Sequence, residues 1–214
     1  MPEKSNGRFH WTALKFVFLI SLVFLVQLVF SQNLEAFVLK SSEVLYRPWT
    51  LLTYIFLHVS FSHLYSNMFS LAIFGSILEK VVGNKNFLKV FFSTGIFSGV
   101  SSIFFYDSVI GASGSAFGVM GVLAVLRPKL VVWAVGVPMY MMVAIVVYIA
   151  LDLMGVFYPS NIAHIGHISA SVLGILIGFM WRRKYQVVEP KREKFVLDKE
   201  EFSRWEEEYM KKRK

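Results

Sequence analysis

Six apolar runs limit what this chain can fold into. The first, Ala13–Phe30, is almost unbroken Phe, Leu, Val and Ile. A run of about eighteen apolar residues is long enough to cross a bilayer as a helix. Further runs at His63–Val82, Asn86–Tyr106, Ser113–Leu126, Leu130–Leu151 and Ile162–Trp181 predict five more crossings. In lipid each backbone N–H and C=O must be satisfied internally, so such runs read as helices. Composition agrees, with 56% hydrophobic and 17% charged residues, where soluble domains carry about 45–50% and about 25%. The expected fold is an all-α membrane protein, a bundle of six transmembrane helices with a short fourth helix and a long interfacial loop after helix 1. Residues 1–12 form a cytoplasmic N-terminus, 13–181 the membrane domain and 182–214 a charged cytoplasmic tail. A cleaved signal peptide is the alternative for the first run, but its apolar centre would be shorter and a small-residue cleavage site would follow.

Charge placement predicts the orientation. Twenty of the 22 Lys and Arg residues fall in 1–15, 79–89, 127–129 and 182–214, and two, Lys40 and Arg47, fall in 31–62. Basic residues collect on the cytoplasmic side, so both termini are expected there, in the cell membrane. The net charge of +8 is therefore read as a topology signal and not as a nucleic-acid surface. Residues 31–62 mix charges with short apolar pieces around Pro48 and Trp49, which suggests a segment lying in the outer interface. Phe202, Trp205 and Tyr209 form a narrow helical stripe in the tail, read as a helix resting on a surface. The absence of cysteine excludes disulfides and thiolate chemistry.

Polar residues then collect at one depth. Ser113 opens the stretch GASGSAFGVMG (Gly111–Gly121), where neighbouring Gly and Ala leave its hydroxyl sterically open. Its apolar run has fourteen residues, about 21 Å of helix in a bilayer core about 30 Å thick. With the basic far end at the interface, Ser113 lies inside the membrane, where a polar group is a functional candidate. His63 and Asn67 share a face at the outer start of the second run. His164 and His167 stand at the outer start of the sixth. Gly114, Gly118 and Gly121 form a small face of the fourth run, and Ala170, Gly174 and Gly178 one of the sixth. Such small faces let helix backbones approach closely in lipid, which would aim His167 at Ser113.

These residues resemble the rhomboid family of intramembrane serine proteases. GASGSAFGVMG is similar to its Gly-x-Ser-Gly motif, FLHVSFSHLYSNMFSLAIFGSILEKVVG (Phe56–Gly83) to its second helix with His-x-x-x-Asn, and AHIGHISASVLGILIG (Ala163–Gly178) to its last helix. The resemblance implies a Ser113–His167 dyad without an Asp, in which Ser113 is nucleophile and His167 general base. His63, Asn67 and the Ser113 N–H would hold the oxyanion, and Phe117 would pack against the imidazole. Gly111, Gly114, Gly118, Ala170 and Gly174 would support the site. The family's last helix places Gly at +3 and +7 from its His. Counting from His167 gives Ala170 and Gly174, and counting from His164 gives His167 and Ser171, so His167 fits better and His164 becomes a hydrogen-bonding neighbour. The resemblance further implies transmembrane protein substrates that enter sideways from the lipid bilayer, a site opening to the outer face, and no cofactor or metal.

Other polar residues receive plainer readings. Ser115 is read as packing, His10 and His58 as surface residues, and Asp107 and Asp152 as solvated in outer loops. Glu79 is expected to anchor the second helix end beside Lys80 or Lys85, and the resemblance also matches it to a recurrent structural Glu of the rhomboid family. Pro138, with Gly136, is expected to kink the fifth helix, which would help that helix move aside for substrate. Two other functions compete. A metal-dependent intramembrane hydrolase would use His63, His164 and His167, but no Glu base lies on the outer side. A non-catalytic rhomboid-like client-binding protein would lack the Ser or the His, and this chain keeps both. A transporter is disfavoured because no helices show paired interruptions or buried opposite charges.

Overall fold

The computed structural model describes residues 10–158, 160–185 and 199–210. Most of the N-terminal segment 1–12 and of the tail 182–214 therefore lies outside the described residues. Helix α1 (Thr12–Val29) leads through a 3-10 turn (Ser31–Phe37) to strand β1 (Leu39–Lys40). A one-turn helix (Thr50–Thr53) and a 3-10 turn (Tyr54–Phe56) follow. Helix α2 covers 61–82 with a π-helical turn at Leu71–Gly75 in its middle. Helix α3 (Asn84–Ser102), strand β2 (Ser108–Val109) and helix α4 (Ser113–Leu126) come next. A hairpin of β3 (Val131–Ala134) and β4 (Val137–Tyr140) precedes α5 (Met141–Gly155). The chain closes with α6 (His164–Tyr185) and α7 (Lys199–Tyr209).

The helices pack around α4, which buries twelve of its fourteen residues. By contrast α1 buries Ala13, Ile20 and Phe24 and turns Phe18, Leu22, Leu25 and Leu28 outward. The outer faces of α5 and α6 are equally apolar, with Val146, Met154, Leu176, Phe179 and Met180 exposed. So large an apolar exterior suits lipid and not water. By length and composition, α1 and α6 qualify as membrane spans among the described residues, while α4 and α5 are shorter apolar helices.

Glycine faces set the spacing between α4 and α6. A Cβ on Gly174 would run into the main chain of Gly118, and one on Gly121 would meet the Ser171 carbonyl oxygen. Gly114 behaves differently from the expectation that it faces α6, because it abuts Ser98 of α3. Helix α4 is thus wedged between two neighbours, with α3 occupying the side that Gly114 opens.

Two expectations are corrected here. Pro138 lies in β4 opposite Trp133 and kinks no helix. Gly136 has φ +82 and Val135 φ 49, so the chain reverses tightly there, a conformation glycine adopts readily. The fifth helix consequently begins at Met141 and reaches Gly155. Glu79 is also buried, at 3% exposure. Its two carboxyl oxygens accept the N–H groups of Thr12 and Ala13, each at 2.9 Å. The first N–H groups of a helix lack intrahelical partners, and a tryptophan stands at the N-cap of α1, so the cap comes from α2.

Replacing Gly174 with Ala forces the α4 and α6 backbones apart. Thermal unfolding in detergent should show a loss of about 1–3 kcal/mol, the range for overpacking a tight contact. Leu176→Ala, on the exposed face of the same helix, should change stability much less.

Candidate active site

Ser113 is the first residue of α4, and the approach to it is tightly constrained. Gly111 has φ +123, a backbone region that disfavours side chains. A Cβ there would sit 2.6 Å from Cε1 of His63. The Gly111 N–H donates to the Tyr54 carbonyl at 2.9 Å, and the Tyr54 hydroxyl donates to the Gly95 carbonyl of α3 at 2.6 Å. Two residues upstream, β2 pairs with β1, with Val109 opposite Leu39. The segment before Ser113 is thereby tied to the segment after α1.

His167 comes from α6. Its Nε2 lies 2.8 Å from Ser113 Oγ, a hydrogen-bonding distance. Phe117, one turn along α4, stacks on the imidazole with centroids 4.3 Å apart and planes 8° from parallel. Tyr148 of α5 packs edge-on against the far face of Phe117 at 5.9 Å. His164 stands one turn before His167 and does not contact Ser113; its Nε2 is 2.9 Å from Ser160 Oγ.

Asp152 overturns the expectation of a solvated loop residue. It lies within α5 at 7% exposure. Its Oδ1 is 3.1 Å from Nδ1 of His167 and 2.6 Å from Nδ1 of His164. A lone acid in a long apolar run is a signal in its own right. It was misread because the helix was expected to end at Leu151. The hairpin moves the start of the helix downstream and carries Asp152 into the bundle. Asp152, His164 and His167 are also the group that could hold a metal ion among the described residues. Their 2.6 and 3.1 Å separations suit charge-assisted hydrogen bonds. Ligands about 2.0–2.1 Å from a tetrahedral zinc would stand about 3.3 Å apart. His63, the third imidazole expected for a metal, is not part of that group and lines the cleft from α2.

That side of the cleft is built by α2 and the turn before it. Asn67 is buried, and its Nδ2 donates to the His63 carbonyl at 3.0 Å. His58, expected at the surface, is fully buried. Gln27 of α1 brackets its main chain, donating to the His58 carbonyl at 2.8 Å and accepting its N–H at 3.1 Å. Burial, and then the neighbouring His63, push the His58 imidazole down to about 3, so the ring is neutral. Its Nε2 accepts the Ala112 N–H at 3.5 Å. A buried imidazole beside the Ser113 turn was not visible in sequence, since nothing local distinguishes His58 from an interfacial residue. Ser113, His167, His63 and Asn67 all line one cleft of about 1100 Å³, with Tyr106 and Phe117 on its sides.

Fold and site together define a helical protein of apolar exterior that holds a serine–imidazole pair in a cleft between its helices. The family model of the Rhomboid domain matches residues 46–184, and the chain belongs to the rhomboid family, whose members are embedded in membranes. It is 31% identical over 180 residues to "Rhomboid protease GluP" of Bacillus subtilis, covering 79% of this chain and 34% of that one. It is 32% identical over 142 residues to "Putative rhomboid protease YdcA" of the same organism, covering 64% and 68%. Against "Rhomboid protein 1, mitochondrial" of Saccharomyces cerevisiae it is 26% identical over 157 residues, covering 68% and 45%. The chain thus spans about a third of the length of GluP and about two thirds of that of YdcA.

The close approach of Gly111 to His63 yields a test. Gly111→Ala must relieve both the positive φ and the clash, a strain of about 1–3 kcal/mol. Labelling of Ser113 by a fluorophosphonate should slow about tenfold or more, while the unfolding midpoint changes modestly.

Proposed function

We propose that this protein is an intramembrane serine protease that cuts transmembrane helices of other membrane proteins. The observation that carries the reading is the 2.8 Å contact between Ser113 Oγ and His167 Nε2, at a cleft inside a bundle of apolar exterior. Six helices, α1 to α6, cross the bilayer, with the termini cytoplasmic and the cleft opening to the outer face of the cell membrane. The 20-to-2 division of basic residues supports that orientation. The membrane domain is 13–181, between the N-terminal segment 1–12 and the tail 182–214.

The chemistry follows from the positions. The Ser113 hydroxyl gives its proton to His167 Nε2 as Oγ attacks the substrate carbonyl carbon. The oxyanion that forms is met by the Ser113 N–H, by one N–H of Asn67 and by the His63 ring, which face the same cleft. Nε2–H of His167 then passes the proton to the leaving amine. A water then gives a proton to the same nitrogen as its oxygen bonds the acyl carbon, the Oγ–C bond breaks to release the acid, and Nε2–H returns the proton to Ser113 Oγ. Phe117 holds the imidazole plane throughout by its parallel stack. The substrate helix must unwind locally, because a helical amide is hydrogen-bonded and shielded from attack.

Purified protein in lipid vesicles with a fluorescent transmembrane substrate tests this reading. Ser113→Ala and His167→Ala should each lower cleavage by about 10³-fold or more, and Asn67→Ala by about 10²–10³-fold. His164→Ala should retain more activity than either dyad variant, and a zinc chelator should leave the wild type unchanged. Equal cleavage by wild type and Ser113→Ala would overturn the proposal.

A further inference from the structure

We infer that Asp152 is a positioning residue of the site, the carboxylate that fixes the tautomer and orientation of His167. The inference rests on the proteolytic reading above and adds a member that the Ser–His pair does not require. One oxygen, Oδ1, faces Nδ1 of both imidazoles. An ionised carboxylate only accepts hydrogen bonds, so both Nδ1 atoms carry the proton. His167 Nε2 is then left with a lone pair, directed at the Ser113 hydroxyl 2.8 Å away. By the same logic, His164 Nε2 accepts from the Ser160 hydroxyl at 2.9 Å. Every proton in the chain Ser160, His164, Asp152, His167, Ser113 is thereby assigned from one buried group.

The burial makes a purely incidental role hard to sustain. Asp152, His164 and His167 are exposed by 7%, 9% and 8%, and a buried carboxyl without donors is strongly disfavoured. Two N–H donors meet that requirement. His164 holds the same Oδ1 as His167, so the carboxyl is met by two rings one turn apart on α6. When His167 takes the Ser113 proton, the new positive charge forms 3.1 Å from a fixed negative one. Phe117 keeps the ring in plane, whereas Asp152 selects which nitrogen is free.

The test uses the full chain in lipid vesicles, with kinetics on a transmembrane reporter and ¹⁵N-histidine solid-state NMR. Asp152→Asn should lower kcat by about 10²–10⁴-fold, as expected when the wrong tautomer is stabilised, and leave KM within about threefold. Asp152→Glu, which restores a carboxylate, should recover activity above that of Asp152→Asn. Wild-type spectra should show His167 protonated at Nδ1, and Asp152→Asn should reduce that population. The inference is overturned if Asp152→Asn keeps kcat within about threefold of wild type, or if wild-type His167 is protonated at Nε2. It is also overturned if both variants lose activity only in proportion to folded protein, as judged by Tm. Ser113→Ala run in parallel separates the two ideas: if it cuts as well as wild type, proteolysis at Ser113 fails, whatever Asp152 does.

Discussion

The close approach of α4 and α6 is the constraint on which the site depends. Gly174 and Gly121 bring the two backbones into contact where a Cβ would intervene, Gly174 against the main chain of Gly118 and Gly121 against that of Ser171, while Gly118 itself makes room for Thr94 of α3. Hydrophobicity cannot drive that association in lipid, so it relies on close packing. The consequence is metrical. Ser113 stands five residues before Gly118 and His167 seven residues before Gly174, so the contact lies between one and two turns from the pair. Helical geometry carries the small separation along to the 2.8 Å between their side chains. A site assembled this way sits on rigid elements and has little freedom to loosen.

Polar groups elsewhere act as single ties between elements that would otherwise slide in lipid. Glu79 caps α1 from α2, Gln27 of α1 holds the main chain at His58, and Tyr54 joins the Gly111 turn to α3. The N–H groups of Thr12, Ala13, His58 and Gly111, which regular structure leaves unpaired, are satisfied by these ties, and such groups are expensive when buried in lipid. Two of the three converge on the short stretch before Ser113. The turn that presents the hydroxyl is thus held from α1, through His58, and from α3, through Tyr54.

The parts legible in sequence were those carried by spacing within one helix. Ser113, Gly118 and Phe117 share α4, and His167, Ala170 and Gly174 share α6, so spacing groups each set, while the pairing of Phe117 with the imidazole and the choice of His167 over His164 came from the rhomboid resemblance. The same holds for His63 and Asn67 in α2. Two other contacts between distant segments were illegible, because nothing near Glu79 announces the N-terminus of α1, and nothing near His58 announces Ala112. Asp152 was hidden by a boundary error and not by its chemistry. A proline and a glycine in an apolar run have two outcomes, a kinked helix or a reversal. Here Val135 and Gly136 both adopt positive φ, the run splits, and the helix spans Met141–Gly155.

Asp152 couples the imidazole to a helix with few other anchors at the site's end. Along α5 the buried residues are Met141, Ala144, Ile145 and Asp152, and the first three lie in its first two turns. Beyond Ile145, the contacts with the site are Tyr148 against Phe117 and Asp152 against the two histidines. Both reach His167, one through the stacked ring and the other through Nδ1. Gly155 leaves room for the His164 ring, which a Cβ would strike, so α5 and α6 stay close enough for these bonds to form. Moving the end of α5 outward separates Asp152 from both imidazoles and withdraws Tyr148 from Phe117. The position of α5 and the orientation of the His167 imidazole are therefore coupled, through the Asp152 carboxyl and through the Tyr148–Phe117 stack.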